Sequence, residues 1–324
     1  MGVSAATLFV VGQAGTADYL APLWRRWLQS GTSLSWHIVA HPAALLQIER
    51  LGLNGRLPLL DAWDSEKLQD ELRQRQFDRL VCSASREPVE AAALTWATKN
   101  GIPSLHLLDA LYGFSWRSDL RAGMMAVIDD QACSDAAEEG LPQERLVVAG
   151  HPAWEAIAPM DDAPLGNWLF LDQPIATVRP DLGYTEQDAW GMMQDAARLQ
   201  PQAFQRLVYA PHPARGPKAG LPEGSLSLAE TMTLQQGLHQ CGTIAGVYSG
   251  GMVEAFLGGR RVVSLLPGSG EVLCPLARRG LSPLYRSAAE LADAAMVAMC
   301  DNRALRASLH GSLDRLDAII RSLA

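Results

Sequence analysis

The sequence predicts an α/β protein built as two doubly wound, Rossmann-like, mainly parallel sheets that face each other across a cleft. Three observations predict it. Strand-length apolar runs alternate with helix-length amphipathic segments from end to end. A stretch holding Pro152, Pro159, Pro164 and Gly166 interrupts that alternation near the middle, and the pattern then restarts. With 324 residues the chain is long enough for two cores that need no covalent staples. The expected domains are 1–155 and 156–324, with the last helix packing back on the first domain.

Each element follows from its pattern. Leu8-Phe9-Val10-Val11 is too short to span a bilayer and fits a first buried strand. Similar β-branched and aromatic runs place first-half strands at 7–11, 35–40, 57–61, 79–82, 104–108, 125–128 and 146–148. Apolar residues at helical spacing place helices at 19–29, 43–51, 65–74 and 88–99. After the proline-rich stretch, strands are expected at 168–171, 207–210, 243–247 and 262–265. Helices are expected near 185–199, 228–240, 252–257 and 288–299, and the tail 303–323 reads as one helical run without a turn signal.

Composition narrows the function classes. Hydrophobic residues make up 48% and charged residues 19% of the chain, and the formal net charge is −8. That balance argues against a general binder of nucleic acid or anionic membrane. Five scattered cysteines without a CxxC pair fit a reduced compartment, so a cytoplasmic protein is expected. No secretory leader and no transmembrane segment is expected. The sequence has no Walker motif, HExxH, GxSxG or paired Cys/His set, so no metal and no cofactor is expected. A homo-oligomer is compatible with all of this.

The most informative segment is 245–263, which reads as strand, small-residue turn, helix, Gly-Gly break and strand. Ser249, Gly250 and Gly251 fall where that helix begins, with free amides and a positive partial charge suited to a phosphate. Glu254 follows as an acceptor for sugar hydroxyls. An ordinary strand-helix-strand turn is the plain alternative. His212 lies between two prolines directly after a strand, where it is suited to donate to a phosphate or sugar hydroxyl, with Arg215 close behind. Gly150 and His151 end another strand, and Glu271 follows the strand at 262–265; each is a candidate ligand contact or a plain loop residue.

In the first half Asp109 ends an apolar run, where a carboxylate needs a reason to be. It is the candidate general base, unless it caps the next helix. Tyr112, Trp116 and Arg117 follow it and are suited to stack on or clamp a substrate. Gly12, Gly15, His41 and Ser85 complete the candidate acceptor side, with turn or capping roles as their alternatives. The segment Gly12–Thr16 lacks GxGxxG spacing and an acidic ribose partner, which excludes a dinucleotide site.

In their order these pieces resemble the GT-B type of nucleotide-sugar glycosyltransferases and their relatives, the non-hydrolysing UDP-N-acetylglucosamine 2-epimerases. Val148-Ala149-Gly150-His151-Pro152 is similar to the family's "TGNP" strand end, and Ala210-Pro211-His212-Pro213 to its "HP" strand end. Tyr248-Ser249-Gly250-Gly251-Met252-Val253-Glu254-Ala255 with Gly258-Gly259-Arg260-Arg261-Val262 is similar to "SGG..EA...GKPV". Asn100-Gly101-Ile102-Pro103-Ser104 is typical of the first domain, and the similarity runs over roughly 78–270. The resemblance implies donor binding in the second domain, by His212, Ser249, Gly250, Gly251 and Glu254, and acceptor binding in the first. The epimerases' acidic residues find no match beyond Asp109, which favours transfer to a glycan or small-molecule acceptor, as in polysaccharide biosynthesis. The Glu-x7-Glu spacing of many retaining enzymes is absent, so inversion is expected. An epimerase or hydrolase, and a partner subunit that has lost its chemistry, are the alternatives.

Overall fold

The structure is a computed structural model that describes residues 6–31, 35–84, 87–212, 226–227, 234–268, 270–294 and 301–323. The chain forms two compact units. One runs through Ala156 and takes in the chain again from Arg306; the other spans Ile157–Leu305.

The first unit holds a seven-stranded sheet: β1 (Ala6–Val11), β2 (Ser35–Ala40), β3 (Leu59–Leu60), β4 (Arg79–Ser83), β5 (Ser104–Leu107), β6 (Met124–Val127) and β7 (Leu146–Val148). Their order is β3-β2-β1-β4-β5-β6-β7 and every neighbouring pair is parallel. The connections are helices α1 (Ala14–Ser30), α2 (Pro42–Arg50), α3 (Ser65–Gln74), α4 (Pro88–Lys99), α5 (Phe114–Arg117) and α6 (Asp130–Glu138), with α7 (Pro152–Glu155) after β7. β1 is buried along its whole length because helices cover both faces of the sheet. On one face Phe9 meets Trp24, Trp27 and Trp36 edge-on, with ring centroids 6.0, 5.7 and 6.2 Å apart.

The second unit holds β8 (Asn167–Leu171), β9 (Arg206–Ala210), β10 (Leu226–Ser227), β11 (Thr243–Gly246), β12 (Arg261–Leu265) and β13 (Leu284–Tyr285). These six pair in parallel in the order β10-β9-β8-β11-β12-β13. Its helices are α8 (Ile175–Val178), α9 (Glu186–Leu199), α10 (Leu234–Gln240), α11 (Gly250–Leu257), α12 (Pro275–Arg278) and α13 (Ala288–Asp293). Trp168 stacks on Phe204 at 4.3 Å, and Phe170 on Tyr209 at 5.4 Å, to build the core around β8. Two helices close the chain, α14 (Arg303–Leu309) and α15 (Ser312–Ser322). The doubly wound α/β class holds for both units.

Several boundaries move for identifiable reasons. α1 starts at Ala14 and not at 19, because Gly15, expected in a loop, lies in its first turn. The strand expected at 57–61 pairs only at Leu59–Leu60. Pro58 has no N–H for a ladder. The tail is not one helix: Gly311 takes φ +76°, and its N–H and that of Leu313 donate to the Glu155 carboxylate at 2.5 and 3.1 Å. That separates α14 from α15. Strands β10 and β13 were not foreseen, since two residues make no pattern. Of the helices expected at 228–240 and 288–299, the residues 228–233 and 295–299 lie outside the described residues.

α15 packs into the first unit. Leu316, Ile320 and Leu323 join the core formed by Phe9, Leu20 and Trp27, and Trp27 Nε1 donates to Asp317 at 2.9 Å.

Candidate functional site

In the second sheet the strand order reverses between β8 and β11, the position at which open α/β sheets bind ligands beyond the carboxyl ends of their strands. β11 continues through Val247 and Tyr248 to Ser249, the N-cap of α11. Ser249 Oγ accepts from the Gly251 N–H at 3.2 Å, which leaves the hydroxyl hydrogen free to donate elsewhere. The two glycines are not equivalent. A Cβ on Gly250 would meet nothing within 4 Å, whereas one on Gly251 would lie 3.1 Å from Leu171 Cδ1. Gly250 is exposed and leaves the amide row open, while Gly251 lets α11 pack on β8. Glu254, half-buried on the same helix, accepts from Gln235 Nε2 at 3.4 Å.

His212 follows β9, and its backbone N–H donates to Asp172 Oδ2 at 3.2 Å. Asp172 directly follows β8 at the reversal point and is only 2% exposed. Sequence reasoning missed it, although a lone carboxylate closing the run Trp168-Leu169-Phe170-Leu171 was the same signal that drew attention to Asp109. Glu271, after β12, lies 3.4 Å from both Arg179 and Arg278, so it is already engaged by two guanidinium groups. Arg179 was also missed; it grips Asp181, and these carboxylates push its pKa up. Arg215 lies outside the described residues. The basic pair after the Gly-Gly break holds the fold together. Arg260 donates to the carbonyls of Asp161, Leu238 and His239, closing the end of α10, and Arg261 lies over Trp168 at 4.9 Å.

In the first sheet the reversal lies between β1 and β4. The Gly12 N–H donates to Ser83 Oγ at 2.6 Å, and that hydroxyl donates on to Glu90. Glu90, 2% exposed, is a second carboxylate at this sheet end that sequence reasoning did not single out. The Glu90-to-Glu87 capping box conceals it as an ordinary helix start. Asp109 follows β5 and does not cap a helix: the N-cap of α5 is Gly113, whose amide and that of Ser115 donate to Glu139 at 3.1 and 2.9 Å. Asp109 Oδ2 accepts instead from Thr16 Oγ1 at 2.7 Å. Burial raises the Asp109 pKa, opposed by that hydrogen bond and by the charge of Arg117.

The other acceptor-side candidates are spread out. Tyr112 is buried with the Arg117 guanidinium 5.9 Å from its ring centre. Gly15 is exposed on α1. His41 is the N-cap of α2, accepting from Ala43 N at 3.1 Å, with its ring edge on Trp63. Ser85 and the Trp116 side chain lie outside the described residues. Arg117 and Glu90 help to line a cavity of about 550 Å³, with His106, Asp119, Arg121 and Glu139. The crossover from β5 to β6 carries only the four-residue α5, too short to cover the sheet face as a full helix would.

Gly150 and His151 pack against the start of α15. A Cβ on Gly150, at φ +82°, would lie 2.0 Å from Ser312 Oγ. The His151 N–H donates to that same hydroxyl at 3.0 Å, and its ring stacks on Trp154 at 3.9 Å while its Nδ1 accepts from Trp154 N. Both residues are buried where α15 seats on the first unit. Among the described residues no group of three or more His, Cys, Asp or Glu side chains is placed to hold a metal ion, and no helix is long and apolar enough to cross a membrane.

The sequence matches no protein-family model and no curated protein. Solved structures do match its chain path. UDP-GlcNAc 2-epimerase from Neisseria meningitidis, bound to UDP-GlcNAc, superposes with TM-score 0.64 at 14% identity over 98% of this chain and 99% of that one. The enzyme from Methanocaldococcus jannaschii, in complex with UDP-GlcNAc and UDP, gives 0.62 at 13% over 97% and 98%. The lipopolysaccharide outer core galactosyltransferase WaaB in its apo form gives 0.54 at 10% over 98% and 99%. The chain has a GT-B fold. Within the GT-B frame the second Rossmann-like unit carries the Ser249 helix start at its strand reversal, and the first carries Asp109 and Glu90 near its own.

Proposed function

We propose that the protein binds a nucleoside-diphosphate sugar through its second unit and transfers the sugar, with inversion and without a metal, to an acceptor hydroxyl held by the first. The observation that carries this reading is the entrance of α11, where the Gly250 backbone is open at the end of a buried strand beside the β8–β11 reversal. A diphosphate there receives amide hydrogen bonds and the positive end of the helix. It gains a further donor in the Ser249 hydroxyl. His212 is suited to donate to the departing phosphate. Asp109, with its pKa raised by burial, is suited to take a proton from the acceptor.

A second reading, sugar-nucleotide epimerisation, is favoured by the structural neighbours, which are mostly UDP-GlcNAc 2-epimerases, and by Glu90 as a further buried carboxylate at the first sheet's reversal. One set of measurements separates the readings. UDP at about 100 times its Kd should raise the unfolding free energy by about 2.7 kcal/mol; no stabilisation by any nucleoside diphosphate removes the proposed site. UDP-GlcNAc incubated alone should persist if the protein is a transferase and be converted if it is an epimerase. With a competent donor and acceptor, His212→Ala should lower turnover by tens-fold. Unchanged turnover takes His212 out of the mechanism.

A further inference from the structure

We propose that Thr16 is a positioning residue for Asp109: its hydroxyl holds one carboxylate oxygen so that the other is presented to the group that gives up its proton. The inference rests on the reading of Asp109 as the general base and deepens it. Asp109 sits on the connection after β5, in no helix and capping none, and its carboxylate is held by its own backbone amide and by one side-chain donor. Thr16 supplies that donor from 93 residues away. It lies in the first turn of α1, wholly buried, and as a β-branched residue has few rotamers.

The turn is itself fixed on two sides. The Gly12 amide is tied to Ser83 and through it to Glu90, and α1 is anchored by Leu20, Trp24 and Trp27 in the core. The donor is thus held in place, as orienting a base requires. Among the described residues no other side chain donates to Asp109. The charged and titratable groups facing it are Arg117, on α5, and the Tyr19 phenol, on α1. Tyr19 does not compete: burial and the Asp109 charge hold it protonated, and its hydroxyl donates to the Gly150 carbonyl at 3.1 Å. Thr16 remains a neutral donor at every pH, so it favours the ionised form of Asp109 without itself exchanging protons.

The test uses the full-length protein labelled with [4-¹³C]aspartate, the Asp109 signal being the one lost in Asp109→Asn. Thr16→Val, close in shape but without a donor, should raise the Asp109 titration midpoint, and Thr16→Ser should return it towards wild type. An unchanged midpoint in Thr16→Val overturns the pairing, whatever the substrate. In turnover, Thr16→Val should lower kcat about tenfold with KM unchanged and shift the acidic limb of the pH profile upward, while Thr16→Ser stays within about twofold. Wild-type turnover in Asp109→Asn would sink the base reading and leave the pairing standing as a structural bond. An inactive Asp109→Asn beside a fully active Thr16→Val would sink the positioning role alone.

Discussion

Gly250 and Gly251 are adjacent and chemically identical, yet the space around them assigns them different work. Gly250 has room for a methyl group and lies at the start of a helix, where alanine is the better helix former. Gly250→Ala should therefore leave stability unchanged or raise it by up to about 1 kcal/mol, yet weaken UDP binding about tenfold or more by covering the amides. Gly251→Ala should do the reverse. Its Cβ presses on Leu171, at a cost of about 1–3 kcal/mol, while the amide stays available. Urea denaturation and titration calorimetry on both variants decide it. Parallel losses of stability and binding in Gly250→Ala would mean that the residue serves packing and no ligand.

At the scale of the element, the seating of α15 depends on a few polar contacts beneath an apolar face. Glu155 accepts from the amides of Gly311 and Leu313 and so caps the helix start. Glu155→Ala should destabilise the first unit by about 1–2 kcal/mol and speed amide exchange over 312–322 before any other helix. Exchange that is uniform across the unit would show instead that α15 is held by Leu316 and Ile320 alone. Most elements were legible in the sequence because periodicity reports burial. The helices Ser65–Gln74 and Pro88–Lys99 and the strand Leu146–Val148 have the bounds that pattern alone assigned. The failures share a cause. Gly15 sits inside a helix and Gly311 breaks one, and the sequence around each glycine is equally permissive. What separates them is Glu155, distant in the chain and ready to satisfy the freed amides at 311.

At the scale of the whole molecule, two buried imidazoles make stability depend on pH. Burial lowers the pKa of His106 to about 4 and that of His151 to about 3, from an ordinary value of 6.5. A depressed folded-state pKa gives stability that is fully present above pH 6.5 and is lost as pH falls towards the folded values. Each histidine should therefore remove about 1.4 kcal/mol per pH unit over that window. Asp109, whose pKa is raised, acts in the opposite sense at the acidic end. Chemical denaturation from pH 8 to pH 4 should show the decline, and His151→Asn, which keeps an acceptor for the Trp154 amide, should make it shallower. A flat profile would mean that the two rings are hydrated in solution.

By itself the sequence determined the alternation of strands and helices, the break near Pro152–Pro164, and the start of α11 at Ser249. These are local properties, set by side-chain periodicity and by which residues can cap or turn a backbone. Only the tertiary structure decided which carboxylates and amides are engaged. Asp109 with Thr16, the Gly12 amide with Ser83, and Asp172 with the His212 amide each join segments far apart in the chain. Such pairs form where parallel strands bring their carboxyl ends together, and strand order is written in no local pattern.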